Sequence, residues 1–95
     1  MVIVYVSFES ALSEEEVFAV ARERIDKFRA LPGLIQKYYF KTDAPKRYGG
    51  VYVWDSPASA NAYRESDLAK SIPAAYQVVG TPDVEILDVV FPLRP

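Results

Sequence analysis

Residues 1–16, MVIVYVSFESALSEEE, join a strongly apolar segment to a helix start and determine the fold class of this chain. Residues 1–8 are almost all β-branched or aromatic, which is typical of a strand with both faces buried. Ser13 and Glu16 follow with the spacing of a capping box, in which each side chain accepts a hydrogen bond from the other residue's backbone N–H. The segment therefore predicts a first strand and then a helix over residues 13–31.

The rest of the chain repeats this alternation of strand and helix patterns. Ser56 and Pro57 provide an N-cap and a first-turn proline for a second helix, which is predicted over residues 57–69. Three further strands are predicted over residues 34–41, 50–54 and 84–91. The β-α-β-β-α-β order is typical of a single α+β, ferredoxin-like domain over residues 1–95. In that fold a four-stranded antiparallel sheet carries both helices on one face.

The composition excludes several classes of function. The 95 residues include no Cys and no His, so disulfide scaffolds, thiolate or imidazole metal sites and Ser-His-Asp triads are excluded, and no metal site is expected. Eleven Lys and Arg against thirteen Asp and Glu give a formal charge of −2, which does not attract a phosphate backbone. The chain has no long apolar run and its first residues do not resemble a signal peptide. We therefore expect a cytoplasmic protein with no membrane partner.

Two helices can cover only one face of a sheet, yet the predicted strands are apolar on both faces. In the third strand Val51 and Val53 lie on one face, and Tyr52 and Trp54 lie on the other. An uncovered apolar face of this size is unusual on a soluble monomer. We therefore expect a homodimer in which two sheets pack together as an eight-stranded α+β barrel. A monomer with a solvated aromatic sheet face is the alternative.

Five residues are candidates for binding a small molecule. Tyr52 and Trp54 form a flat aromatic wall that would suit a core and a pocket equally well. Lys37 shares a strand face with Tyr39, and it fits either an edge position, which the sequence favours, or a pocket cation that holds an oxyanion. Tyr63 on the second helix completes the set. No residue is a convincing base, and the acidic residues near the strands are interpreted as solvated or capping groups.

Ferredoxin-like sheets with aromatic residues also form RNA-recognition domains. Residues 4–6 match the start of the first-strand signature of those domains. In residues 47–54, however, the two positions that should stack on bases are occupied by Gly49 and Val51. Because the net charge is also negative, no nucleic-acid partner is expected.

Three segments of the chain resemble the YdhR-like mono-oxygenase family: PGLIQK at residues 32–37, GGVYVW at 49–54 and SANAY at 59–63. This family is part of the dimeric α+β barrel superfamily, which also contains the antibiotic-biosynthesis monooxygenases. The resemblance implies a homodimer and oxygen chemistry without flavin, haem or metal. Better-understood relatives have a His where this chain has Tyr63.

The resemblance, supported by the aromatic wall, implies a cofactor-independent monooxygenase that binds a planar phenolic, anthrone-like or quinone-like molecule. Such an enzyme needs a flat apolar cavity, a proton acceptor and groups that stabilise an enolate, because the substrate anion itself reduces oxygen. The predicted binding residues are Lys37, Tyr39, Tyr52, Trp54 and Tyr63. Two alternatives remain open: a non-catalytic small-molecule-binding protein on the same dimer, and a lactone isomerase of the same superfamily.

Overall fold

The computed structural model describes all residues from Met1 to Pro95 and has the predicted β-α-β-β-α-β order. The strands are β1 (Val2–Ser10), β2 (Leu34–Lys41), β3 (Arg47–Trp54) and β4 (Val78–Asp88). The helices are α1 (Glu14–Glu23), α2 (Ile25–Arg29), α3 (Pro57–Arg64), α4 (Asp67–Lys70) and α5 (Ile72–Ala75). The sheet is antiparallel with the order β2-β3-β1-β4, which confirms the ferredoxin-like α+β fold.

The first helix begins as predicted but is not continuous over residues 13–31. The capping box is present: Glu16 N–H donates to Ser13 Oγ at 3.2 Å, and Ser13 N–H donates to Glu16 Oε1 at 3.1 Å. At Arg24 the backbone N–H bonds to the carbonyl of Ala21, three residues earlier, at 3.2 Å. This tighter turn ends α1, and α2 continues after it.

The second helix predicted over residues 57–69 is replaced by the two short helices α3 and α4, and α5 follows beyond the predicted range. The predicted start is correct, because Ser56 Oγ accepts the N–H of Ser59 at 3.2 Å. Ser66 then acts as a new N-cap, since its Oγ accepts the N–H of Ala69 at 3.2 Å. A serine that caps a new helix ends the one before it, so the single-helix prediction was wrong.

The fourth strand is displaced towards the N-terminus relative to the predicted residues 84–91. β4 contains Gly80 and Pro82, which lie where its register with β1 shifts. A bulge on an edge strand tolerates both residue types, whereas a regular central strand does not. β4 ends at Asp88, which pairs with Val2 at the start of β1. Beyond this point β4 has no strand to pair with.

β3 begins three residues before the predicted 50–54, and both of its glycines are required by close contacts. A Cβ atom on Gly49 would overlap the backbone of β1 and the ring of Phe40. Gly50 faces the helices, where a Cβ would lie 3.1 Å from Cε of Lys37. The two glycines therefore let the backbone of β3 pack closely against its neighbours.

The helices cover one face of the sheet and leave the other uncovered. The buried apolar residues of the covered face and its helices are Val2, Val4, Phe8, Val17, Phe28, Tyr48, Tyr52, Trp54, Ala60, Tyr63 and Tyr76. We call the other side the open sheet face; its apolar residues are Ile3, Tyr5, Tyr38, Phe40, Val51, Val53 and Leu87. None of the helices has the length and apolar character needed to cross a membrane.

Candidate functional site

An irregularity in β2 turns Lys37 towards the helices. Leu34 pairs with Trp54 but Gln36 pairs with Val53, so β2 contains one extra residue at this point. In an uninterrupted register the lysine would lie on the open sheet face, because a shift of one residue reverses the side to which every side chain points. β2 is an edge strand, as the sequence favoured, yet Lys37 has the inward orientation of a pocket cation.

The Lys37 amine lies among three aromatic rings. Its Nζ is 3.5 Å from the centroid of the Phe28 ring and 4.4 Å from the centroids of both Tyr39 and Tyr52. Nζ takes part in none of the ion pairs of the structure. The ring faces are therefore its principal partners, and they stabilise the amine in its protonated form.

Burial and a neighbouring positive charge disfavour the protonated form of Lys37. Burial lowers the pKa of Lys37 from 10.5 to about 7, and the positive charge of Arg24 contributes in the same direction. Burial raises the pKa of the phenols of Tyr39, Tyr52 and Tyr63, so these groups stay neutral and do not compensate the lysine. The amine thus changes between its charged and neutral forms near neutral pH without an anionic partner.

This burial predicts a stability difference between the wild type and Lys37→Met that depends on pH. Between the folded pKa near 7 and the unfolded value of 10.5, the unfolded chain binds the extra proton, so wild-type stability rises with pH. Met keeps an unbranched side chain and binds no proton. We expect the stability advantage of Lys37→Met to shrink by about 2 kcal/mol from about pH 6 to about pH 9. Urea unfolding at both pH values measures this, and an unchanged advantage would contradict the burial.

Lys37 and Tyr39 lie between an interior cavity and a surface groove. The interior cavity has a volume of about 40 Å³, which is room for about one water molecule, and Tyr52 also lines it. The groove lies between α2 and β2 and has a volume of about 310 Å³. That volume is at the lower limit for sites that bind small organic molecules. The residues that line this α2–β2 groove are Ile25, Phe28, Arg29, Leu34, Ile35, Gln36, Lys37 and Tyr39.

The predicted aromatic wall is present, and its members pack mainly as core. The rings of Tyr52 and Trp54 are nearly parallel with centroids 6.5 Å apart, and the Tyr63 ring lies 5.4 Å and 5.3 Å from them. The Tyr63 hydroxyl donates to the Tyr52 hydroxyl at 3.4 Å. Trp54 is only 1% exposed, and its indole N–H has no hydrogen-bond partner. Trp54 and Tyr63 also line a separate groove of about 330 Å³.

The structure therefore places the five predicted residues in two adjoining groups. Lys37, Tyr39 and Tyr52 share the interior cavity, and the first two also reach the α2–β2 groove. Trp54 and Tyr63 stack on Tyr52 and do not line either of these spaces.

Two residues at the site were not among the predicted binding residues. Phe28 shares an apolar stripe along α1 and α2 with Val17, Ala21 and Ile25, and it lies directly under the Lys37 amine. Arg24 donates from its guanidinium to Ser71 Oγ at 2.5 Å and to the Leu68 carbonyl at 3.3 Å, while its buried Nε has no partner. Arg24 lies four residues before Phe28, and a charged residue within an apolar stripe was the signal that could have identified it.

The acidic side chains do not form part of the site. No group of three comes close enough to hold a metal ion. Asp55 lies at the start of α3, where hydrogen bonds with Ser59 and Ser56 lower its pKa. Its interpretation as a capping group agrees with these contacts.

Sequence comparison assigns most of the chain to one family. The sequence model of the family described as "Putative mono-oxygenase ydhR" matches residues 3–88. No curated protein sequence matches the chain at a significant level.

Solved structures of similar fold cover almost the whole chain. SnoaB, a cofactor-independent oxygenase from Streptomyces nogalater, superimposes with a TM-score of 0.78 at 14% identity and covers 99% of this chain and 97% of its own. A "Putative antibiotic biosynthesis monooxygenase" from Bordetella bronchiseptica gives a TM-score of 0.78 at 17% identity over 95% of this chain and 97% of its own. At these identities the structures establish the shared fold. The match over residues 3–88 establishes the family, and this protein belongs to the family described as "Putative mono-oxygenase ydhR".

Proposed function

We propose that this protein is a cofactor-independent mono-oxygenase that acts on a planar phenolic, anthrone-like or quinone-like molecule. The observation that carries the proposal is the Lys37 amine, which lies over three aromatic rings at the α2–β2 groove without a carboxylate partner. Aromatic ring faces suit a flat apolar substrate, and nearby positive groups suit the anion that such a substrate forms.

The proposed reaction converts a CH₂ group that is conjugated with a ketone through an aromatic ring into a second carbonyl. Loss of a proton gives an enolate, and the enolate transfers electrons to O₂ and forms a C–O bond. Cleavage of the O–O bond and loss of the second C–H proton then release water. The substrate CH₂ and one O₂ thus become C=O and H₂O. The carbon supplies all the electrons, so the protein has to bind the substrate, accept a proton and stabilise negative charge.

The α2–β2 groove is the proposed position of the substrate. Phe28 and Tyr39 offer apolar surfaces there, and Lys37 and Arg29 supply positive charge close to the ring of a bound molecule. Tyr52 lies behind the lysine and is held in place by Trp54 and Tyr63. In this arrangement Lys37 and Tyr39 contact the substrate, and the aromatic wall supports them.

Oxygen uptake with anthrone and Kd measurements with hydroxyanthraquinones test this placement. Tyr39 is 43% exposed, so Tyr39→Ala should fold normally and weaken binding about tenfold through loss of one aromatic contact. Tyr63→Phe removes only the hydroxyl bonded to Tyr52 and should change binding little. Weaker binding by Tyr63→Phe with unchanged binding by Tyr39→Ala would place the ligand in the groove next to Trp54. Binding without oxygen uptake by the wild type would instead identify a non-catalytic binding protein.

We also propose a homodimer formed through the open sheet face. Tyr5 and Phe40 stack on this face with ring centroids 5.4 Å apart, although no helix covers them. After β4, the C-terminal residues Val90, Phe91 and Leu93 are 88%, 78% and 86% exposed. Contiguous apolar surface of this kind marks an interaction site, and a second copy offers a face of matching chemistry.

A further inference from the structure

We infer that Lys37 is the catalytic base of the site and that its neutral amine removes the proton from the substrate carbon that is oxidised. The inference rests on the proposed function, which requires a proton acceptor and does not identify one. It assigns to Lys37 a different role from that of a permanent cation that holds an oxyanion. A base needs a neutral amine that can accept a proton, whereas a group that holds an oxyanion needs only a positive charge. Experiment can therefore separate the two roles.

The position of Nζ suits proton transfer. The amine has no ion-pair partner, and Lys37 lines both the interior cavity and the α2–β2 groove, so a molecule in the groove reaches it directly. Gly50 leaves space for the lysine stem, because any side chain there would crowd Cε. Once the amine has accepted a proton, the ring faces of Phe28, Tyr39 and Tyr52 stabilise the ammonium, at 3.5 Å and 4.4 Å.

The other ionisable groups around Lys37 are arginines and tyrosines. They are Arg24 next to α2, Arg29 on α2, Tyr39 on β2, Tyr48 and Tyr52 on β3, Tyr63 on α3, and Tyr76 after α5. Arginine stays protonated at any pH that the fold tolerates, and no carboxylate lines either space. Burial raises the pKa of Tyr76 to about 12 and raises that of Tyr52 well above its ordinary value. Burial lowers the pKa of Lys37 to about 7, so much of its amine is neutral at physiological pH.

Lys37 accepts one proton during the proposed reaction and later gives it back. The amine takes a proton from the substrate CH₂ and becomes an ammonium beside the enolate. The enolate reduces O₂ and binds it as a peroxide anion, which takes the proton back from the ammonium to give a hydroperoxide. Loss of water from the hydroperoxide breaks the O–O bond and forms the new carbonyl. Lys37 ends the cycle as a neutral amine, and neither it nor any other residue changes oxidation state.

Hydrogen–deuterium exchange separates proton removal from oxygen chemistry. Anthrone is incubated without oxygen in D₂O with the wild type, Lys37→Arg or Lys37→Met, and loss of the CH₂ signal is followed by ¹H NMR against a protein-free control. We expect the wild type to accelerate exchange, with a rate that falls as pH drops below about 7. Both variants should lose about 100-fold or more of this acceleration. Arg keeps the positive charge but cannot act as a base, and Met keeps the unbranched shape.

The outcomes distinguish this inference from the proposed function. Exchange that depends on Lys37, in a protein that consumes no oxygen, would support the base and overturn the oxygenase. Full exchange by folded Lys37→Arg would overturn the base and identify a permanent cation, whether or not oxygen is consumed. A wild type that accelerates neither exchange nor oxygen uptake would overturn both. Near-ultraviolet circular dichroism of each variant confirms its fold, and full exchange by folded Lys37→Met would also overturn the base.

Discussion

Trp54→Ala is expected to lower the free energy of unfolding by about 3–5 kcal/mol, which is the usual cost of removing a large aromatic side chain from a core. Trp54 is 1% exposed, and its ring packs within 5.3 Å of Tyr63 and 6.5 Å of Tyr52, measured between centroids. Alanine would leave a cavity between β3 and α3 that these rings cannot fill without moving. Urea unfolding followed by circular dichroism measures the loss.

Trp54→Phe is the matched control for this prediction. It keeps an aromatic ring in the core and removes an indole N–H that has no hydrogen-bond partner in the structure. The loss of stability should therefore be clearly smaller than for alanine, and ligand binding can be compared on a folded protein. Wild-type stability in Trp54→Ala would show that the aromatic wall is not a core element.

Val51→Asp is expected to convert the proposed homodimer into a monomer or an aggregate. Val51 lies on the open sheet face, where it pairs with Tyr5 of β1 and Tyr38 of β2. A carboxylate among the apolar residues of this face would lose its water on association, at a cost of several kcal/mol. Light scattering after size exclusion should give twice the 10.7 kDa of one chain for the wild type, and another mass for the variant.

Val51→Thr separates charge from shape in this experiment. Threonine is β-branched like valine and keeps the strand propensity, but it carries no charge. The dimer should therefore survive in Val51→Thr. A wild-type mass near 10.7 kDa at micromolar concentration would contradict the dimer, and a stable dimer of Val51→Asp would exclude this face as the interface.

The two helix starts were predicted correctly from local signals. The capping box at Ser13 and the Ser56-Pro57 pair each involve neighbouring residues, and both helix starts are where these signals put them. The strand boundaries that were wrong depend on tertiary pairing. Gly80 and Pro82 suggest a break, but an edge strand accommodates them in a bulge, and β1 determines where β4 ends.

The sequence predicted which aromatic residues share a face at the candidate site. It did not predict the orientation of Lys37, which depends on the register of β2. The two-residue period of a strand places Tyr52 and Trp54 on one face, and the structure has them there with Tyr63 against them. The orientation of Lys37 could not be predicted, because it depends on one extra residue between Leu34 and Gln36. Such a bulge changes the side to which Lys37 points without leaving a composition signal, since leucine, isoleucine and glutamine all fit a regular strand.

The incorporation of ¹⁸O₂ into the product of anthrone oxidation tests the proposed oxygenase most directly. Purified wild-type protein, freed of metals and flavins by chelation and dialysis, is supplied with anthrone under ¹⁸O₂, and the quinone is analysed by mass spectrometry against a protein-free control. We predict quinone formation well above the control, with one ¹⁸O atom in each product molecule and the other in water. Quinone formation no faster than in the control, or product oxygen derived from water, would contradict the proposed mono-oxygenase.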